Sequence, residues 1–255
     1  MLLAIDIGNT NIVIGGIQDD RIVFEARIAT ERVKTSDQYG AEIKNMLALF
    51  DVKPSDIRDC IISSVVPPVF NSVHTGVIKL TGKQPMVVGP GIKTGLNIQM
   101  DTPSQVGSDR IVIAVAALAE YEPPLTLLDL GTATTIEVVD KGNVYMGGCI
   151  IPGVRISLEA LTNRASQLPG IQLDKPKKVI GKNTVDCMRS GVMYGAAAML
   201  DGMIQRVEEE LGYSTTVVAT GGMAQFVCPL CKRDIKLERD LLLKGLNLIY
   251  KKNVK

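Results

Sequence analysis

Three aspartates, Asp6, Asp109 and Asp129, stand among glycines and small hydroxyl or amide side chains, and no other residues in the chain are as well placed to do chemistry. Asp6 opens Asp6-Ile7-Gly8-Asn9-Thr10-Asn11, and Asp129 opens the related Asp129-Leu130-Gly131-Thr132-Ala133-Thr134-Thr135. Each copy ends an apolar run, Leu2-Leu3-Ala4-Ile5 or Leu125-Thr126-Leu127-Leu128, and leads into a β-rich run, Ile12-Val13-Ile14 or Ile136-Glu137-Val138-Val139. The pattern predicts a strand, a tight glycine turn and a returning strand, used twice. Glycine lets the main chain approach a phosphate closely. Turn N–H groups, with hydroxyl and amide side chains, donate to the phosphate oxygens, and an aspartate at a strand tip holds a hydrated cation. Two such turns facing one another would grip one nucleoside triphosphate.

The elements that must position these residues alternate in blocks. Leu2 to Ala29 reads as three strands with turns at Gly8-Asn9 and Gln18-Asp19-Asp20. Thr35 with Gln38 forms a capping-box pattern, followed by Tyr39, Ile43, Met46, Leu47 and Phe50 at helical spacing. Cys60 to Val66 reads as a buried strand closed by Pro67-Pro68, with a short helix and a strand near Met86 to Val88 completing a first lobe. Gly89 to Pro103, rich in Gly and Pro, reads as a loop beside the site. A helix over Gly107 to Tyr121, stopped by Pro123-Pro124, starts the second lobe. A hairpin through Asp140 to Asn143, a strand near Gly147 to Ile151 and a helix opened by Pro152-Gly153 follow. Asn183 or Thr184 caps a long helix whose expected core face is Val192, Ala196, Met199, Met203, Val207 and Leu211. Val217 to Ala219 is a strand ending in Thr220-Gly221-Gly222. The repeat predicts an α/β fold of two similar lobes, 1–105 and 106–255, with no low-complexity linker and a shared cleft.

Composition narrows the functional classes. A chain of 255 residues with 46% hydrophobic content can bury a sizeable core. Its net charge of +1, 4% aromatics and lack of Trp give no sign of a nucleic-acid groove. The longest apolar stretch, Ile111 to Ala119, is too short to span a bilayer, and the first residues lack a basic signal-peptide region, so the sequence reads as soluble and cytoplasmic. The five cysteines are scattered and odd in number, which suits ordinary thiols in a reducing compartment. Cys228-Pro229-Leu230-Cys231 has no second closely spaced pair to complete a zinc site. His74 is the only histidine, which disfavours catalytic triads and multi-histidine metal sites, and it reads as a surface or packing residue.

The two Asp-x-Gly turns and the later Thr220-Gly221-Gly222 resemble the phosphate-1, phosphate-2 and adenosine motifs of the acetate and sugar kinase, heat-shock ATPase and actin superfamily. Within it the chain resembles, over essentially its whole length, the type III pantothenate kinases. Gly107-Ser108-Asp109-Arg110 and Gly147-Gly148-Cys149-Ile150-Ile151-Pro152-Gly153, together with the two turns, carry that resemblance. It implies ribonuclease H-like (actin-like) lobes, each a mixed sheet flanked by helices around a central cleft, and ATP-dependent phosphorylation of the terminal hydroxyl of pantothenate toward coenzyme A.

The resemblance also implies roles. ATP contacts fall to Asp6, Ile7, Gly8, Asn9, Thr10, Asn11, Ile12, Val13, Thr132, Gly221 and Gly222, with Asp6 holding Mg²⁺ through water. Asp129 matches the position that binds a monovalent cation, K⁺ or NH₄⁺, in place of a lysine. Pantothenate offers a carboxylate to neutralise and an alcohol to activate. Adjacent Asp109 and Arg110 supply a base and a cation, while Gly107 and Ser108 complete the helix start that meets the ligand. Family members are homodimers in which a threonine reaches the neighbour's pantothenate pocket, and Thr184 matches it, with helix capping as a compatible role. Met100 stands in the pocket where many relatives carry tyrosine, so apolar contact replaces a phenolic hydrogen bond. Two other functions fit the fold: a non-enzymatic transcriptional accessory protein, against which the joint presence of Asp6, Asp109 and Asp129 argues, and a kinase for another small hydroxylated acid or sugar.

Overall fold

The N-terminal apolar runs form the strands that their alternation predicts. In the computed structural model, which describes residues 1–254, β1 (Leu2–Ile7), β2 (Asn11–Gln18) and β3 (Arg21–Ala29) make an antiparallel meander. Asp19 and Asp20 turn β2 into β3 with φ of 48° and 65°. Positive φ at both central residues is what a two-residue hairpin of matching twist requires. Helix α1 (Ser36–Leu49) begins at the expected capping box: Gln38 N donates to Thr35 Oγ1 at 3.4 Å and Thr35 N donates to Gln38 Oε1 at 2.9 Å. Then come β4 (Asp59–Ser64), α2 (Pro67–Thr81) and β5 (Met86–Val87), giving a sheet of order β3-β2-β1-β4-β5. The β1–β4 and β4–β5 pairs are parallel.

The same topology recurs. After β6 (Asn97–Ile98) and α3 (Ser108–Glu120) come β7 (Leu125–Leu130), β8 (Ala133–Val139) and β9 (Val144–Pro152), again an antiparallel meander. Helices α4 (Val154–Arg164) and α5 (Thr184–Leu211) precede β10 (Thr216–Thr220), which pairs parallel with β7. Helix α6 (Ala224–Val227), β11 (Lys236–Leu237) and α7 (Leu241–Asn253) end the chain. The second sheet runs β11-β10-β7-β8-β9-β6, which is the order of the first sheet with β6 added at one edge. Two mixed sheets flanked by helices are the expected α/β architecture.

The compact units differ from two consecutive segments. The first comprises Met1–Leu96, Asp101–Ala119 and Asp240–Lys255, and the second Asn97–Met100 and Glu120–Arg239. The expected break at 105/106 assigns α3 to the second lobe, whereas α3 and α7 pack on the first sheet. One face of that sheet presents Leu3, Ile5, Ile7, Ile12 and Ile14 to Tyr39, Ile43, Val69, Val73 and Val77 of α1 and α2. The opposite face presents Leu2, Ala4, Ile17 and Ile61 to Val112 and Val115 of α3 and Leu243, Leu246 and Ile249 of α7. Strand alternation makes both faces apolar, so each needs a helical layer. A Cβ at Gly245 would collide with the Val112 carbonyl, so the small residue lets α7 lie directly on α3.

Two further details depart from the sequence reading. The buried residues of α5 are Met188, Ser190, Met193, Ala197, Leu200 and Ile204, the last four clustered with Leu128, Leu130, Val217 and Ala219. Val192, Ala196, Met199 and Met203 are only partly buried at its flank. The helix carries apolar residues on two adjacent stripes, and periodicity alone does not say which one meets the sheet. The loop after β5 contains β6, which pairs parallel with β9. No described helix is long and apolar enough to cross a membrane.

Candidate active site

In the first unit the functional groups gather at the carboxyl ends of β1 and β4. Asp6 is 5% exposed, next to last in β1, on the sheet face that α3 covers. Its Cα partner across the parallel ladder is Ser63, itself fully buried, and Ser63 Oγ donates to Asp6 Oδ1. After β1 the chain turns through Gly8, whose N–H donates to Asn11 O at 3.0 Å. Thr30 Oγ1 donates to Gly8 O at 2.7 Å, and Thr30 N donates to Thr10 O at 3.0 Å, so the residue that follows β3 braces the turn. Asn9, Thr10 and Asn11 are exposed, which leaves their polar side chains at the surface of the turn. Ile7 and Ile12 are fully buried in the core and paired with one another across the hairpin. Of the expected ATP contacts these two offer no side chain, and Val13 packs with the apolar layer under α3 and α7.

The head of α3 is tied to the same end of the sheet. Ser64 N donates to Ser108 Oγ at 3.1 Å, and Ser108 Oγ donates to Ser64 O at 3.1 Å. Asp109 Oδ1 accepts from Arg110 N at 2.8 Å. A Cβ at Gly107 would lie 2.5 Å from Asp109 Oδ1 and 3.4 Å from Val65 Cγ1, so the glycine admits this approach. Gly107 to Arg110 are all partly exposed, and a carboxylate, a guanidinium and a helix N-terminus thus share one stretch of four residues.

In the second unit Asp129 takes the corresponding place on β7. Gly131 N donates to Ala133 O at 3.0 Å, closing a turn one residue shorter than its counterpart: Leu130 pairs with Thr134, whereas Ile7 pairs with Ile12. Two glycines back this turn. A Cβ at Gly153, the N-cap of α4, would lie 2.7 Å from Gly131 O and collide with Thr132 O. Gly221 has φ of 96°, and a Cβ there would meet Asp129 Oδ1 and lie 2.6 Å from Leu130 N. Gly221 therefore serves both the left-handed bend after β10 and the close approach of Asp129. Thr132 and Gly222 are exposed beside it.

The remaining candidates fall in different surroundings. Asn183 is the cap of α5, its side chain accepting from Asp186 N at 2.9 Å, while Thr184 is exposed at the first helical position. Met100 rests on the backbone of Gly147, where a Cβ would lie 2.5 Å from its sulfur. Gly147 has φ of 104°, so a side chain there is excluded on two counts. Burial pushes the thiols of Cys228 and Cys231 up to about 11 and about 12, and that of Cys60 up to about 11, so all three stay protonated near neutrality. His74 packs against Phe70 with ring centroids 5.4 Å apart. Among the described residues no three His, Cys, Asp or Glu side chains form a metal-holding group. Asp6 and Asp129 are single carboxylates, a donor set that suits cations completed by water and phosphate oxygens. Ser63 is the one residue of this group that the motifs do not contain. Its signal is a hydroxyl pair, Ser63-Ser64, ending an otherwise apolar strand.

Two units of one strand topology, each with an aspartate at a strand tip beside a glycine turn, define the actin-like ATPase class of fold. The chain superposes on a ROK hexokinase from Thermus thermophilus over 98% of both chains with a TM-score of 0.52 at 14% identity, a likeness of fold. The family model for type III pantothenate kinase matches residues 2–206. The type III pantothenate kinase of Halalkalibacterium halodurans is 45% identical over 254 residues, covering 100% of each chain. That of Listeria monocytogenes (serotype 4a) is 43% identical over 253 residues, covering 99% of this chain and 98% of its own. The chain belongs to the type III pantothenate kinase family.

Proposed function

We propose that the chain transfers the γ-phosphoryl group of ATP to the terminal hydroxyl of pantothenate, the first step of coenzyme A biosynthesis. The observation that carries this reading is the head of α3, where Asp109 and Arg110 stand on a helix start tied to β4, in a chain whose family likeness is full length. Asp109 accepts the proton of the attacking alcohol, and Arg110 with the Gly107–Ser108 helix start meets the carboxylate end of the acceptor. The Gly8–Asn11 turn donates to phosphate oxygens through its N–H groups and polar side chains, and Thr132 does the same in the second unit. Gly221 and Gly222 leave a flat approach for the adenosine. Asp6 suits a magnesium ion held through water, which when bound neutralises charge on the triphosphate. Asp129 suits a monovalent cation of potassium size.

An ADP-release assay with potassium present tests the reading. ADP should appear only when pantothenate is added, and a panel of sugars and other hydroxy acids should give little. No ADP release with any acceptor would favour the non-enzymatic rival, and faster release with another acceptor would favour the rival kinase.

The active species is a homodimer with shared sites, in which Thr184 of one protomer reaches the pantothenate pocket of its partner. Support comes from its exposure at the head of α5, with capping already supplied by Asn183. Mixing inactive Asp109→Asn protomers with inactive Thr184→Trp protomers should restore part of the activity, because each heterodimer assembles one site with both lesions and one with neither. Absence of rescue after demonstrated subunit exchange would assign Thr184 to its own protomer.

A further inference from the structure

We infer that Ser63 and Ser108 are positioning residues that fix the carboxylates of Asp6 and Asp109 to consecutive residues of β4. The inference deepens the phosphotransfer reading and rests on it. Ser63 is fully buried and Asp6 nearly so, and the serine hydroxyl donates to one carboxylate oxygen. A buried carboxylate oxygen needs a hydrogen-bond donor, and a donor on one oxygen decides which lone pairs remain for a cation. The parallel register places Ser63 directly beside Asp6, so the contact is set by the strand ladder and not by a mobile loop.

Ser108 works one residue further along. Its hydroxyl spends its single proton on Ser64 O and accepts from Ser64 N, so it has no proton left for a substrate while the tether stands. The tether holds the first turn of α3, and with it Asp109, against β4 at Ser64. Ser64 Oγ in turn accepts from Val66 N at 3.2 Å, which steadies the end of the strand itself. Successive residues of a strand advance by about 3.3 Å. Two anchors on neighbouring residues therefore hold the base and the cation-holding carboxylate in one frame. This moves the Ser108 hydroxyl from substrate contact to the support of Asp109 and leaves only the N–H groups of the helix start to meet the acceptor.

The test uses Ser63→Ala, Ser108→Ala and the corresponding threonine variants in the full-length protein. By calorimetry, Ser63→Ala should weaken magnesium-dependent binding of a non-hydrolysable ATP analogue by about 10-fold and leave magnesium-free binding unchanged, with Ser63→Thr restoring much of the loss. Ser108→Ala should lower kcat by about 10- to 100-fold while KM for pantothenate moves less than about 2-fold, with recovery in Ser108→Thr. Wild-type magnesium dependence in Ser63→Ala overturns the first half. A raised KM with unchanged kcat in Ser108→Ala overturns the second, since it would put the hydroxyl on the substrate. Loss of activity together with a lower melting temperature, and no recovery in the threonine variants, would reduce both residues to packing. The wild-type protein in the same assays separates the two levels: failure to phosphorylate pantothenate removes the functional reading, while analogue binding still reports on Ser63.

Discussion

Asp109→Asn is expected to slow phosphoryl transfer by about 10²- to 10⁴-fold while ATP and pantothenate bind almost as before. Asparagine keeps the size and the Oδ1 acceptor, so the bond from Arg110 N that steadies the head of α3 survives. What is lost is the basicity needed to take the alcohol proton. The helix stays tied to β4 through Ser108, which makes a change in placement a weak alternative explanation. Single-turnover rates at saturating substrates, with equilibrium binding measured separately, distinguish the two. Near wild-type turnover would remove Asp109 as the base and turn attention to backbone positioning alone.

Much of this arrangement was legible in the sequence because it depends on short-range rules. The Asp-x-Gly turns, the Thr35–Gln38 box and the cap at Asn183 are each decided within a few residues. What was not legible depends on which surfaces meet. Helix α3 follows the first lobe and precedes the second strand repeat, and nothing in its composition says that Val112 and Val115 join Leu2 and Ala4. Its partner α7 has Leu243, Leu246 and Ile249 at helical spacing, which marks an apolar face but not the sheet it covers. The buried face of α5 lies one residue from the expected one because Met193, Ala197, Leu200 and Ile204 run parallel to an equally apolar stripe.

The site shows the same division. Residue types single out Asp6, Asp109 and Asp129 as candidates, but the contacts around the first two come from distant segments: Ser63 lies 57 residues beyond Asp6, and Ser64 lies 44 residues before Ser108. Strand register, fixed only in the folded sheet, creates those pairs. Conversely, Ile7 and Ile12 belong to the motif by sequence and to the core by geometry, since alternation turns their side chains away from the turn surface.

Asp129→Ala is expected to remove most activity, on the order of 10²- to 10³-fold, together with any dependence on the monovalent cation. Neither phosphate turn contains a lysine, so triphosphate charge must be met by cations and backbone dipoles. The Asp129 carboxylate lies against Gly221 and the Gly131 turn, where glycine at φ of 96° has already cleared space for it. Truncation to alanine leaves those backbones unobstructed, so the loss should be electrostatic, with melting behaviour close to wild type. Rates in potassium, sodium and a bulky organic cation provide the direct measurement. Wild type should be fastest in potassium and slowest in the organic cation, and Asp129→Ala should be uniformly slow in all three. Equal wild-type rates in the three salts would take the monovalent cation out of the mechanism. A variant that is slow yet still faster in potassium would move the cation to other ligands, leaving Asp129 to act on the nucleotide through the Gly131–Thr132 turn.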